Sequence, residues 1–284
     1  MTGGDTRHIF SRVLFYLLII VILVYTIFPF YWAFASSLTP NNRLFSTPIS
    51  YWPLEPTLNN YQLVFRNNLF IRALINSAIV SFAVTALALV VGALGAYALG
   101  RFRFKGRSVV LYTVLAMTMF PQIAVLGALF EMVTNLGLYN NLLSLIITYL
   151  IFTLPFTVWV LTNFFKAMPR DLEEAAYVDG ASPFQTFYMI LLPLAAPGMV
   201  TTGLLAFIAA WNEYLFALSF TQTPENRTVT IAITAFEGAT ASSFELPWGQ
   251  IMAASVVVTV PLIILTLYFQ KRIIAGLTAG AVKG

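Results

Sequence analysis

The sequence predicts an all-α integral membrane protein built from six transmembrane helices. Three observations predict it. Of the 284 residues, 59% are hydrophobic and only 9% are charged, against roughly 25% charged in an average soluble domain. So few polar residues cannot form the water-facing shell of a soluble enzyme. The mean hydropathy is +0.84. The charges cluster between apolar runs, and each run is long enough to cross a bilayer, which takes about 20 residues.

The charge-free runs place the spans. No charge occurs between Arg12 and Arg43, between Arg72 and Arg101, or between Arg107 and Glu131. The run from Glu131 to Lys166 is divided by the Asn- and Gly-rich turn 135–141. The expected spans are 13–38, 72–100, 108–133, 142–165, 196–220 and 247–270, in a single transmembrane domain. The runs are apolar on every side, whereas barrel strands would alternate. Helices are therefore expected, because they satisfy their backbone groups internally. The first run is too long for the core of a cleaved signal peptide and ends in Phe28, Phe30, Tyr31 and Trp32, as an interfacial belt does.

Orientation follows from Lys and Arg. With the N-terminus inside, eleven basic residues fall on the inner side and four (Arg43, Arg66, Arg72, Arg227) on the outer. That bias predicts both termini in the cytoplasm. The net charge of +4 thus reflects topology, and no nucleic-acid partner is expected. Outer loops are expected at 39–71, where Pro40, Pro48, Pro53 and Pro56 oppose a continuous helix, and at 221–246. There is no Cys, and the one histidine is His8. Disulfides, a metal site and His-based acid–base catalysis are therefore not expected.

The inner loop 166–195 carries the local signals. Asp171 and Glu174 have capping-box spacing. Gly180 suits a left-handed stop. Ser182, Pro183 and Gln185 read as a second N-terminus with its own box, closed by Pro193. A helix, a glycine bend and a second helix make a compact knob able to pass a push from a cytoplasmic partner into the bundle. Glu173 and Glu174 would offer charge to that partner. Its acids (Asp171, Glu173, Glu174, Asp179) oppose simple rest on an anionic leaflet.

Within the spans, Gly92, Ala96 and Gly100 form a small-residue face for close helix approach. Arg101-Phe-Arg-Phe-Lys105 reads as an inner anchor. Glu213 lies 17 residues after Ala196, roughly 26 Å along a helix, which suggests an interfacial carboxylate beside Trp211 and Tyr214. The sharper reading makes it a lining group of an outer cavity, with Asn212 contacting a polar ligand there. Tyr149, Phe152 and Phe156 fall on one helix face. They are candidates for stacking on a ligand ring, against a plain packing role.

Glu174-Ala175-Ala176, then Gly180, then Ile190-x-Leu192-Pro193 resembles the EAA loop of ABC importer permeases. Asn76-Ser77, Trp211-Asn-Glu-Tyr214 and the tail Gly276–Gly284 are similar to the MalG-type permeases of carbohydrate importers. The resemblance covers nearly the whole chain. It implies the type I importer permease fold and a coupling helix that docks on a separate ATPase through Glu173, Glu174, Ala175, Ala176, Asp179 and Gly180. It implies that the tail (Gly276, Leu277, Thr278, Gly280, Lys283) contacts the ATPase pair and that loop 221–246 faces an extracytoplasmic sugar-binding protein. It also implies a second, non-identical permease, two ATPase copies and a surrounding inner membrane. The chain has no G-x-x-x-x-G-K-[ST] loop, so ATP and Mg belong to the partner subunits and no cofactor or enzymatic activity is expected here. The implied cargo is a maltose- or trehalose-like sugar. The alternatives are a glycerol-phosphate or other polyol permease and, remotely, a secondary transporter, which would show repeats and buried mid-membrane charges.

Overall fold

A computed structural model describes residues 3–236 and 246–279, with side chains from residue 10 to residue 271. Glu237, Glu245, Gly280 and Lys283 lie outside the described residues. The helices run α1 (Gly3–Ser37), α2 (Asn59–Arg66), α3 (Asn68–Arg101), α4 (Arg107–Thr118), α5 (Gln122–Asn135), α6 (Leu142–Ala167), α7 (Asp171–Val178), α8 (Pro183–Thr186), α9 (Leu192–Leu194), α10 (Ala196–Trp211), α11 (Leu215–Phe220), α12 (Val229–Thr234) and α13 (Trp248–Ala279). The chain divides into two compact units, residues 1–67 with 233–259, and residues 68–232 with 260–284.

Among the described residues, four segments are long and apolar enough to cross a membrane: Phe10–Ser37, Asn68–Arg101, Leu142–Ala167 and Trp248–Lys271. Two bent pairs raise the number to as many as six. The expected third span, 108–133, is not one straight helix. It breaks after Thr118, and α4 and α5 meet at 97°, with Pro121 in an extended conformation just before α5. Pro121 cannot donate to a helix running through it, and it disfavours helical geometry at Phe120. The expected fifth span, 196–220, is interrupted at 212–214 between α10 and α11. The second span starts at Asn68 instead of 72, so the loop 39–71 includes α2 and the first turn of α3.

In the first unit, the proline-rich stretch is non-helical as expected, apart from a 3-10 turn at Asn41–Arg43. Asn60 closes the C-terminus of α1 by donating to the carbonyls of Ser37 at 2.9 Å and Thr39 at 3.0 Å. Those carbonyls have no partner inside the helix. The Tyr31 hydroxyl donates to the Tyr51 carbonyl at 2.7 Å, and Arg43 pairs with Glu55 at 2.9 Å.

In the second unit, α3 and α6 pack along the small-residue face. A Cβ on Gly92 would lie 2.6 Å from Thr157 Cγ2, and one on Gly100 would lie 2.9 Å from Phe165 Cβ. Ala96 between them is fully buried. Only small residues permit this approach. Four buried threonines run along α6, and each hydroxyl donates to the carbonyl one turn back: Thr148 to Ser144 at 2.7 Å, Thr153 to Tyr149 at 2.9 Å, Thr157 to Thr153 at 2.8 Å and Thr162 to Val158 at 2.6 Å.

Candidate functional site

One end of the second unit carries the helix–bend–helix segment. Gly180 has φ +83°, and the bend is a Schellman stop. The Ala181 N–H donates to Ala176 O at 2.9 Å and the Gly180 N–H to Tyr177 O at 3.1 Å. The second helix has the expected box. The Ser182 N–H donates to Gln185 Oε1 at 2.8 Å, and the Gln185 N–H donates to Ser182 Oγ at 3.3 Å, with Pro183 at the first helical position. The Asp171–Glu174 box does not form. The cap residue is Arg170, with helical φ and ψ and no side-chain cap bond, so Asp171 is already inside the helix. Asp171, Glu173 and Glu174 instead all lie in the first turn, where negative charge suits the helix dipole. Pro193 does not close the second helix either. A π turn at Phe187–Leu191 precedes it and α9 runs on to Leu194. A wider turn removes the clash and the lost hydrogen bond that a proline imposes on an α-helix. The segment Pro183–Leu194 then meets α10 at 75°.

Arg101, the last residue of α3, organises this end, and the anchor reading of its sequence understates it. Its Nε donates to Glu173 Oε2 at 2.7 Å, and its Nη2 lies 2.6 Å from the same oxygen. Nη1 donates to the carbonyls of Phe165 at 3.1 Å and Met168 at 2.8 Å, and Nη2 to Pro169 O at 3.1 Å. The two side chains are 4% and 12% exposed. Glu173 is therefore engaged within the chain and does not offer its charge to a partner. Ala176 is buried as well, whereas Glu174, Ala175, Val178, Asp179 and Gly180 are exposed. One turn before Arg101, the Tyr97 hydroxyl donates to Pro183 O at 3.2 Å, and its ring lies 4.9 Å from that of Phe187. Phe187, Leu191 and Ala195 complete a core with Ala93, Ala96, Leu161 and Phe165. Arg107 caps the end of α3, donating to Leu99 O at 2.7 Å and Gly100 O at 3.0 Å, while Arg103 and Lys105 are exposed.

The other end gathers Asn76, Ser77, Asn140 and Glu213. Asn76 donates to the carbonyls of Glu225 at 2.8 Å and Arg227 at 3.0 Å, and Ser77 Oγ accepts from the Val229 N–H at 2.8 Å. Asn140, at φ 59°, accepts at Oδ1 from the N–H groups of Gln222 and Thr223 at 2.9 and 3.0 Å. Glu213 is neither an exposed interfacial carboxylate nor free to line a cavity. It is 7% exposed, and its two oxygens accept from the N–H groups of Phe216 at 2.7 Å and Ala217 at 3.0 Å, capping α11. Its carbonyl accepts from Thr230 Oγ1 at 2.9 Å. Sequence order gives no hint of this role, because the break at 212–214 creates the helix end that needs the cap.

Tyr149 is fully buried in the core with Phe216 and Phe220, so it packs there and does not line a surface. Its hydroxyl lies near the Glu213 carboxylate. Phe152 and Phe156 are half-buried and Asn212 is exposed. Phe152 joins Met117, Phe120, Val125, Ile151 and Phe216 around an apolar groove of about 260 Å³ at the α4–α5 break. Of the tail, Gly276, Leu277 and Thr278 continue α13.

Membrane-length helices with a bent two-helix segment anchored across their ends define a multi-span membrane protein. Residues 88–278 match the family described as the inner membrane component of binding-protein-dependent transport systems. The chain belongs to that family. It is 41% identical over 280 residues to the trehalose/maltose transport system permease protein MalG of Thermococcus litoralis, covering 98% of this chain and 99% of that one. It is 42% identical over 264 residues to the trehalose transport system permease protein SugB of Mycobacterium tuberculosis, covering 93% and 95%. In fold it is similar to a chain of a bacterial ABC transporter involved in the import of the acidic polysaccharide alginate, with TM-score 0.81, 22% identity and coverage of 95% and 99%. The type I importer permease fold is thereby shown.

Proposed function

We propose that the chain is one permease subunit of an ATP-driven importer of a disaccharide or oligosaccharide of the trehalose or maltose kind. The observation that carries this reading is end-to-end similarity, at 41% identity, to a permease named for those two sugars. In this reading each bent pair serves with its neighbours as one crossing. The termini and the segment 166–195 lie in the cytoplasm, following the distribution of Lys and Arg. The exposed face of α7, with Glu174, Ala175, Asp179 and Gly180, contacts a separate ATPase, and so does the tail from Gly276 onward. ATP and Mg are bound by two copies of that ATPase. The 221–246 loop meets an extracytoplasmic sugar-binding protein, and a second, non-identical permease supplies the other half of the pathway. Asn212, Phe152 and Phe156 remain the pathway candidates on this chain. A glycosylglycerol is the second reading for the substrate, favoured by 39% identity to a sulfoquinovosyl glycerol transport system permease of Agrobacterium fabrum.

The test is reconstitution. The complete complex in liposomes should hydrolyse ATP in response to sugar-loaded binding protein and accumulate sugar from a panel of disaccharides. This chain alone should do neither. Hydrolysis by the isolated chain, or a complete complex indifferent to every sugar offered, would overturn the proposal.

A further inference from the structure

We propose that Arg101 is the positioning residue that makes α7 and the end of α3 move as one body, so that displacement of α7 is delivered into the membrane helices. This inference rests on the proposed ATPase contact of α7. Its grounds are geometric. The guanidinium spends Nε and both terminal nitrogens on four groups: the Glu173 carboxylate and the carbonyls of Phe165, Met168 and Pro169. Those groups belong to α7, to the last turn of α6 and to the three-residue link 168–170 between them. A planar fork with fixed donor directions sets the orientation of what it binds, which a lysine ammonium cannot do.

The arrangement also divides α7 into two faces. Glu173 and Ala176, three residues apart, turn toward the bundle, while Glu174, Ala175 and Val178 are exposed. Consecutive glutamates thus do different jobs: Glu173 fastens the helix to the permease and Glu174 is left for the partner. Tyr97, four residues before Arg101 and on the same face of α3, holds the second helix at Pro183. Both arms of the bend are therefore fixed to one helix face. A buried ion pair is a poor device for stability alone, since apolar residues of similar volume serve as well or better. It is a good device for holding one geometry.

The experiment compares Glu173→Gln, Arg101→Lys and Arg101→Ala with the exposed control Arg103→Ala in the complete reconstituted complex. Sugar imported per ATP hydrolysed is measured alongside retention of the ATPase during purification. We expect ATPase retention and hydrolysis to persist in all four. Sugar per ATP should fall about tenfold in Glu173→Gln and Arg101→Ala, within the usual range of coupling free energies. It should fall less in Arg101→Lys and stay unchanged in Arg103→Ala. An unchanged ratio in Glu173→Gln and Arg101→Lys would overturn the proposal. So would loss of the ATPase from Glu173→Gln, because the pair would then be a folding element. A wild-type complex that ignores sugar-loaded binding protein would instead overturn the proposed function itself.

Discussion

Asn140 and Thr223 stand 83 residues apart in sequence, yet Asn140 Oδ1 accepts from both the Thr223 N–H at 3.0 Å and the Thr223 hydroxyl at 3.2 Å. The same oxygen accepts from Gln222 N–H at 2.9 Å, and the Asn140 carbonyl accepts from Asn226 Nδ2 at 2.6 Å. The side chain of one left-handed turn residue thus holds Gln222 and Thr223, and its backbone carbonyl holds Asn226, at the start of the segment that follows α11.

Asn140→Ala should release that segment while Asn140→Asp should keep it, because Asp retains an acceptor oxygen and tolerates positive φ. The bonds lost to the half-buried Thr223 donors cost about 1–3 kcal/mol each, and the exposed Gln222 N–H turns to water. Amide hydrogen exchange over 221–232 should accelerate in the alanine variant alone. Equal protection in both would contradict the clamp.

Glu213 is predicted to act on stability and not on sugar selectivity. Glu213→Ala leaves the N–H groups of Phe216 and Ala217 without their acceptor, at about 1–3 kcal/mol each. Glu213→Gln keeps one acceptor and should lose less. Thermal unfolding in detergent should rank wild type above Gln above Ala. A changed sugar preference at unchanged unfolding temperature would restore the pathway reading.

Gly180 should tolerate Asn better than Val. A Cβ there meets nothing within 4 Å, so the penalty is conformational, about 1–2 kcal/mol for a residue forced into the left-handed region. Val adds β-branched stiffness. In the complete reconstituted complex, sugar-stimulated ATP hydrolysis should fall in Gly180→Val and survive in Gly180→Asn. Equal rates in wild type and Gly180→Val would show that the bend is not needed.

The α3–α6 seam should separate glycines that look alike in sequence. Gly92→Ala places a methyl 2.6 Å from Thr157 Cγ2, whereas Gly95→Ala places one at 3.6 Å from Val158 Cγ2, an ordinary contact. Overpacking costs about 1–3 kcal/mol. Gly92→Ala should lower the unfolding temperature and Gly95→Ala should leave it unchanged or raise it. The reverse order would refute the close approach.

Features set by neighbours in sequence were legible before the structure. The long spans followed from charge-free runs, and the Gly180 stop and the Ser182 box followed from residues within a few positions. Features set by distant neighbours were not. Arg101 finds its partners 64 to 72 residues later, and nothing in Arg101-Phe-Arg-Phe-Lys105 distinguishes it from Arg103. The break at Pro121 was hidden for another reason. Pro29, Pro155 and Pro261 all sit inside unbroken helices, so proline alone does not mark a break. Hydropathy runs on through residues 119–121 because lipid-compatible side chains say nothing about direction. Glu213 and Asp171 failed for the same cause, since a cap belongs to a helix end and the helix ends were misplaced.

The threonine series of α6 bears on how the protein is made. Each hydroxyl carries its acceptor with it, one turn back on its own helix, so these four threonines need no neighbour to hide their polar atoms. To a lipid environment they present four internally satisfied hydroxyls. These four groups therefore place no demand for a helix partner on α6 when it enters a bilayer. A serine or asparagine that relied on another helix would tie insertion to assembly order. Here the two branches of one side chain are used separately: the Thr157 hydroxyl is satisfied on its own helix, and its methyl remains available as the apolar knob against Gly92.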